Sequence, residues 1–265
     1  VVPKIGSIGP KLTFSFTIAQ YLIDYFNVML KNNSLNINWL LYYNKLWKSW
    51  TMNLSSDTVA VLKNFSDINQ NILVKPGNKV QTISTMKNIL AEAEVSEKFE
   101  DEFAIYDLPE FLRSVELFEK PELKFNGCGY VNISQQRQSI KYFFADKSVI
   151  VAPTKGITMP DKFVDFTITK DNFARLMKGT TTLNLPDVAV KGDGKTIKMI
   201  ATDKKNKSSN QYSIDVGESD KKFTAYFRTE NFKQIVDDYD VAISKAKISH
   251  FVNRNKPVQY WIALE

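Results

Sequence analysis

Apolar side chains recur at helical spacing soon after residue 55. Val61, Phe65, Ile68 and Ile72 share one face, with Lys63, Asp67 and Gln70 opposite, the pattern of an amphipathic helix resting on a core. Ser55 or Ser56 supplies the N-cap, and Asp57 stands in the first turn, where the helix dipole favours an acid. Pro76-Gly77-Asn78 marks a turn. Residues 79–85 and 88–95 then read as strands, and the alternation from Ala91 to Val95 leaves one face wet and acidic. After a strand at 103–106, Asp107 caps a second helix with Pro109 in its first turn. Leu108, Phe111, Leu112, Val115 and Phe118 face inward there, and Arg113 and Glu116 face outward. Strands at 122–125, 130–134 and 139–145 follow.

The order then repeats. A helix over 170–178 turns Phe173, Leu176 and Met177 inward and Asp171, Arg175 and Lys178 outward. Strands at 187–191 and 196–202 meet at the hairpin signal Gly192-Asp193-Gly194. A basic loop, Lys204 to Ser209, leads to strands at 211–216 and 223–228. A short helix over 229–238 is expected next, its outer face carrying Glu230, Gln234 and Asp237 with Lys233 at the flank. Strands at 241–244, 248–252 and 258–264 end the chain.

The duplication is visible in the residues themselves. Leu54-Ser-Ser-Asp-Thr-Val-Ala-Val-Leu-Lys-Asn64 returns 114 positions later as Ile168-Thr-Lys-Asp-Asn-Phe-Ala-Arg-Leu-Met-Lys178. Ile140-Lys-Tyr-Phe-Phe-Ala145 returns 118 positions later as Val258-Gln-Tyr-Trp-Ile-Ala263. An opening and a closing motif at near-equal offsets imply two tandem domains of one α+β design, with helices on one face of antiparallel sheets. Residues 52–148 form the first and 163–265 the second. The connector 149–162 holds Pro153, Gly156 and Pro160, which break regular structure, yet it is too apolar for a free linker.

The formal charge of +6 adds little, because residues 1–51 hold five basic side chains and one acid. Subtraction leaves 30 basic against 28 acidic residues for 52–265. Any nucleic-acid affinity therefore rests on where charges sit. Cys128 is alone, so no intrachain disulfide forms. Residues 1–51 differ in composition from the rest, and we read Met52 as the true start. The competing reading is a membrane anchor. It is opposed by Gln20, Asp24 and Asn27, which interrupt the apolar run from Thr13 to Leu30.

No catalytic constellation emerges. His250, the one histidine, sits in an alternating strand and has no motif supplying a nucleophile or an orienting acid. One Cys and one His cannot build a zinc site. Gly194-Lys195-Thr196 imitates the end of a phosphate loop, but Ala189 stands where its first glycine belongs, and the segment runs between strands. Glu92, Glu94, Glu97, Glu100, Asp101 and Glu102 read as a solvated acidic strand face in preference to a metal site. No cofactor and no enzyme activity are expected.

The stretch Met52 to Asn69 resembles the start of the sliding clamps of T-even-like bacteriophages, most closely those of the marine cyanobacterial branch. So do Phe103-Ala-Ile-Tyr-Asp-Leu-Pro-Glu-Phe-Leu112, Val149-Ile-Val-Ala-Pro-Thr-Lys155 and Tyr260-Trp-Ile-Ala-Leu-Glu265. The resemblance covers residues 52–265 in order. It implies a homotrimeric ring that encircles duplex DNA in the host-cell cytoplasm and tethers the replicative polymerase. It also implies a role in late transcription and opening by a clamp loader. Lys63, Arg113, Arg175 and Lys178, opposite the apolar stripes, then face DNA, and Lys204, Lys205 and Lys207 meet phosphates or the loader. By the family's pattern, the polymerase C-terminal peptide docks on Val151, Ala152, Pro153, Ile157 and Met159 with Tyr260, Trp261 and Ile262. Subunits join where Ser139, Lys141 and Phe143 of one meet Asn210, Tyr212 and Ile214 of the next. The rival class is a non-catalytic duplicated β-rich scaffold, tethered to a membrane through residues 1–51.

Overall fold

The computed structural model describes residues 49–127, 129–154 and 156–265; the readings made of residues 1–48 and of Cys128 lie outside them. Ser49–Glu265 is one compact unit. Among the described residues three α-helices form where the sequence provides a cap. The Ser55 hydroxyl accepts from the Thr58 N–H at the start of α1 (Ser56–Ile68). Asp107 accepts from the Glu110 N–H at α2 (Leu108–Glu116). Thr169 accepts from the Asn172 N–H at α3 (Lys170–Thr182). Each cap satisfies an N–H that the helix leaves without an intrahelical partner.

The helix expected over 229–238 does not form. A single 3-10 turn, Thr229–Asn231, takes its place, with Arg228 at the cap position making no side-chain capping bond. Side chains claim the backbone groups a helix would need. The Tyr239 hydroxyl donates to the Ile235 carbonyl at 2.6 Å, and the Asn64 amide donates to the Lys233 carbonyl at 2.6 Å. With these bonds made elsewhere, the segment gains little from closing helical ones. Gln234 and Asp237, expected on an outer face, are buried.

Among the described residues the strands build three main antiparallel sheets and a small pair. In the first domain, β1 (Trp50–Met52), β6 (Glu122–Phe125), β7 (Tyr130–Gln135) and β8 (Gln138–Phe143) lie in the order β1-β6-β7-β8. In the second, β10 (Asp187–Asp193), β11 (Thr196–Thr202), β12 (Tyr212–Glu218) and β13 (Lys222–Arg228) lie in the order β12-β11-β10-β13. A six-stranded sheet spans both repeats. It joins β3 (Gly77–Ile83) and β4 (Ile89–Phe99) to β9 (Lys162–Ile168), β14 (Tyr239–Ser244), β15 (Ile248–Asn253) and β16 (Val258–Ala263), in the order β3-β4-β16-β15-β14-β9. The small pair is β2 (Ile72–Val74) with β5 (Phe103–Ile105). The last strand thus closes the fold against the first domain, with Tyr260 opposite Ala91 and Val258 opposite Ala93.

Strands β1, β2 and β9 had no counterpart in the sequence reading. The Trp50 ring stacks on Phe125, centroids 3.8 Å apart, and its indole N–H donates to Asp101. The expected boundary at Met52 left this side chain outside a domain whose core it helps to fill. Core aromatics in the second domain, among them Phe173, Phe227, Phe232, Tyr239 and Phe251, meet edge to face or tilted. That arrangement adds specific geometry to plain area burial.

Candidate nucleic-acid interface

Helices α1 and α2 lie side by side and share an ion pair between Lys63 and Glu116 at 2.5 Å. Arg113, also exposed on α2, pairs with no acid among the described residues. On α3, Arg175 bonds Asp171 one turn earlier at 2.9 Å, while Lys178 is exposed. All four expected helix cations therefore stand on the solvent side of their helices, two of them partly neutralised. Exposed pairs of this kind are weak and yield readily to a competing phosphate. Lys233 joins them: the Asn64–Lys233 bond brings this exposed residue beside α1.

Lys204 does not join them. Phe227 points at the helix side of β13, packed on Phe232, which in turn meets Phe173 of α3. Its neighbour Tyr226 must point the other way, since side chains alternate along a strand. The Lys204 ammonium lies over the Tyr226 ring, 5.0 Å from its centroid. It is therefore across the sheet from Arg175 and Lys178. Lys205 and Lys207 occupy a turn ordered by Asp203, which accepts from the Lys205 N–H, and by Asn206, which accepts from the Ser208 N–H.

The acidic strand is employed piece by piece. Glu94 is exposed as expected, but Glu92 is largely buried between strands. It accepts from Lys79 and Gln81 of β3 and from Gln259 of β16. Burial raises a carboxyl pKa, yet these donors outweigh it and hold Glu92 below the usual carboxylate value. Glu97 accepts from the Ser55 N–H and the Thr58 hydroxyl at the start of α1, and Glu102 pairs with Lys147. His250 bonds Gln259 at 2.8 Å and stacks on Trp261 at 4.6 Å. Burial lowers its pKa.

The connector is held by the loop after α1. Asn69 donates to the Val151 carbonyl and Asn71 accepts from the Val151 N–H. Val151, Ala152, Ile157 and Met159 are half-exposed and Pro153 is buried. The three adjacent residues assigned to a pocket from β16 cannot act together. Tyr260 and Ile262 are fully buried on the helix side, where the Tyr260 hydroxyl donates to Asn64. Trp261 points the opposite way onto His250. Strand alternation leaves Trp261 as the sole member of the three on its face.

Two sheets end in the strands expected at a subunit contact. β8 is the terminal strand of its sheet and β12 of its own. Ser139, Lys141, Phe143 and Asn210 are exposed, and Tyr212 and Ile214 half-buried. The Lys141 ammonium sits 4.0 Å from the Tyr130 ring centroid and 4.9 Å from that of Phe143.

Comparison with known proteins decides what this architecture is. Residues 55–152 match the model for DNA polymerase processivity factor and residues 165–265 the model for gp45 sliding clamp, C terminal. The chain is 30% identical over 221 residues to the sliding clamp of Vibrio phage KVP40, covering 81% of this chain and 99% of that protein. The chain belongs to the sliding clamp family. The Enterobacteria phage T4 clamp is 29% identical over 221 residues, 81% of this chain and 97% of that one. Solved structures of two proliferating cell nuclear antigens share the fold. That of Entamoeba histolytica has TM-score 0.61 at 12% identity, over 82% of this chain and 98% of the other. That of Thermococcus kodakaraensis has TM-score 0.62 at 13% identity, over 82% of this chain and 100% of the other. The expected pair of clamp domains is thus the fold, and the clamp is a phage-type DNA polymerase processivity factor. The cyanobacterial branch stays an expectation. Among the described residues no helix is long and apolar enough to cross a membrane.

Proposed function

We propose that this clamp works as a homotrimeric ring around duplex DNA, holding the replicative polymerase at the primer end and catalysing no reaction itself. The single observation that carries the reading is the pair of unfilled sheet edges, β8 and β12, one on each domain. A terminal strand offers a row of backbone donors and acceptors to another chain. Two such edges on one subunit, meeting head to tail, generate a closed ring if the rotation closes. Lys141 and Phe143 would then meet Tyr212 and Ile214 of the next subunit.

In such a ring, Lys63, Arg113, Arg175, Lys178 and Lys233 line the hole with the three helices. Contacts to phosphates carry no sequence information and let a protein slide. Processivity follows from tethering, because a polymerase held on the ring rebinds its primer at high effective concentration. The polymerase C-terminal peptide docks beside the connector, at Val151, Ile157 and Met159 with Trp261. An ATP-driven loader opens the ring, and the same clamp serves late transcription in the host cytoplasm.

Light scattering of the full chain across a dilution series tests the ring. A trimer, including one that dissociates on dilution, supports it. A dimer contradicts it, since an isologous contact would use one patch twice and leave the other edge unfilled.

A further inference from the structure

At the end of β13, on the face away from α3, two cations converge on one carboxylate. Arg228 Nε lies 3.0 Å from Glu265 Oε1, and Lys204 Nζ lies 4.0 Å from Glu265 Oε2. Beneath them Asp187, almost fully buried, bonds the Lys204 N–H at 2.9 Å and stands 4.0 Å from the Arg228 guanidinium. Asp187 therefore fixes both the loop that carries Lys204 and the head of Arg228. The Tyr226 ring forms the floor under the Lys204 ammonium. The tail that delivers Glu265 is held by two backbone bonds, from the Leu264 N–H to the Lys247 carbonyl and from the Glu265 N–H to the Tyr226 carbonyl. More exposed cations stand nearby in the chain: Lys205 and Lys207 in the same turn as Lys204, and Lys247, whose backbone carbonyl holds the tail.

We propose that Arg228, Lys204 and Tyr226 form a carboxylate clamp for an acidic segment of a partner protein, occupied in the free chain by the clamp's own Glu265. An Arg and a Lys, positioned by a buried acid, present donors to one carboxylate, and a carboxylate is seated there. The Glu265–Arg228 pair is about two-fifths exposed, so it gives way at little cost. A segment carrying several acids would replace one pair by several, and the exposed Lys205 and Lys207 of the same turn would favour it further. The site lies across the sheet from the helix cations, so it does not require the ring.

The test uses the full chain and a labelled, end-capped hexaglutamate, with hexaglutamine as the control, followed by fluorescence anisotropy at low salt. Hexaglutamate should bind and hexaglutamine should not. Glu265→Gln should tighten hexaglutamate binding about threefold, since losing an exposed competing pair is worth a factor of that order. Lys204→Gln should weaken it by a similar factor, and so should Arg228→Gln if its circular dichroism spectrum is unchanged. Because Lys204 is exposed, the Lys204→Gln result stands even where Arg228→Gln misfolds. Ile157→Ser should leave it unchanged, which separates this site from the connector. Equal binding of both peptides, or no response to Glu265→Gln, overturns the proposal. So does a short DNA duplex that displaces hexaglutamate and loses affinity in Lys204→Gln, because the patch would then be a nucleic-acid surface.

Discussion

Gln259 donates its side-chain amide to Glu92 across the β4–β16 pairing, at 3.0 Å. This leaves the Gln259 carbonyl oxygen to accept from His250, so the proton of that neutral imidazole sits on Nε2. One polar chain thus runs Lys79 and Gln81, Glu92, Gln259, His250 across four strands and from one domain into the other. Gln259→Ala should remove the central link and lower the unfolding free energy by about 1–2 kcal/mol, the range for a half-buried bond to a charged group. A urea titration reads the shift. An unchanged midpoint would mean that water replaces the amide at no loss.

The same chain sets a pH dependence. The folded Glu92 carboxyl and the folded His250 imidazole both have lowered pKa values. The unfolded state therefore binds protons more readily at both sites, and stability is lost as pH falls. For His250 the loss begins as pH drops past the ordinary value of 6.5. For Glu92 it begins below 4.5. His250→Gln should flatten the upper part of the stability profile and Glu92→Gln the lower part. Thermal melts between about pH 8 and pH 3 separate the two. A profile that Glu92→Gln leaves unaltered would sink the lower assignment.

Much of the fold was legible because its signals are local. Ser55 and Asp107 announce the helices they cap, and the 3.6-residue spacing of Val61, Phe65 and Ile68 gives the buried face of α1. The missing helix after Arg228 was not legible, because Asn64 competes from α1 and Tyr260 from β16, with Tyr239 adding a local bond from just past the segment. Short strands such as Trp50–Met52 are specified by the neighbours they join and show no period of their own. The helix cations could be read from patterning, since each follows from a helical face. Lys204 could not, because a loop residue's face is set by the strand it folds over. For Tyr260 and Ile262 the strand's own period of two already held the answer.

Charge pairing divides the helix cations into two classes. Lys63 and Arg175 must exchange an acid for a phosphate, while Arg113 and Lys178 pair with no acid among the described residues. Arg113→Ala and Lys178→Ala should weaken salt-sensitive DNA association more than Lys63→Ala or Arg175→Ala. Removing one cation from a phosphate should reduce the slope of log affinity against log salt by about 0.9. Lys204→Ala should leave that slope unchanged. Association of the clamp with duplex DNA, measured across a salt series, checks the ordering, and equal slopes for all five variants would contradict the two classes.

Helix α3 bears on the terminal strand β12 through one glycine. A Cβ added to Gly179 would lie 2.7 Å from the ring of Tyr212, the first residue of β12. Glycine inside a helix costs about 0.5–1 kcal/mol against alanine, so Gly179→Ala would stabilise the chain if propensity alone counted. The close approach of Tyr212 opposes this, because forcing a methyl into a packed site typically costs about 1–3 kcal/mol. We expect net destabilisation, together with a displaced β12 edge and weaker self-association. Adding Tyr212→Ala should open the space and let Gly179→Ala recover its helix gain, so the two changes should be non-additive. Unfolding midpoints and light scattering on both single variants and the double variant complete the cycle. Additive effects would mean that Tyr212 swings aside freely and that α3 does not position the β12 edge.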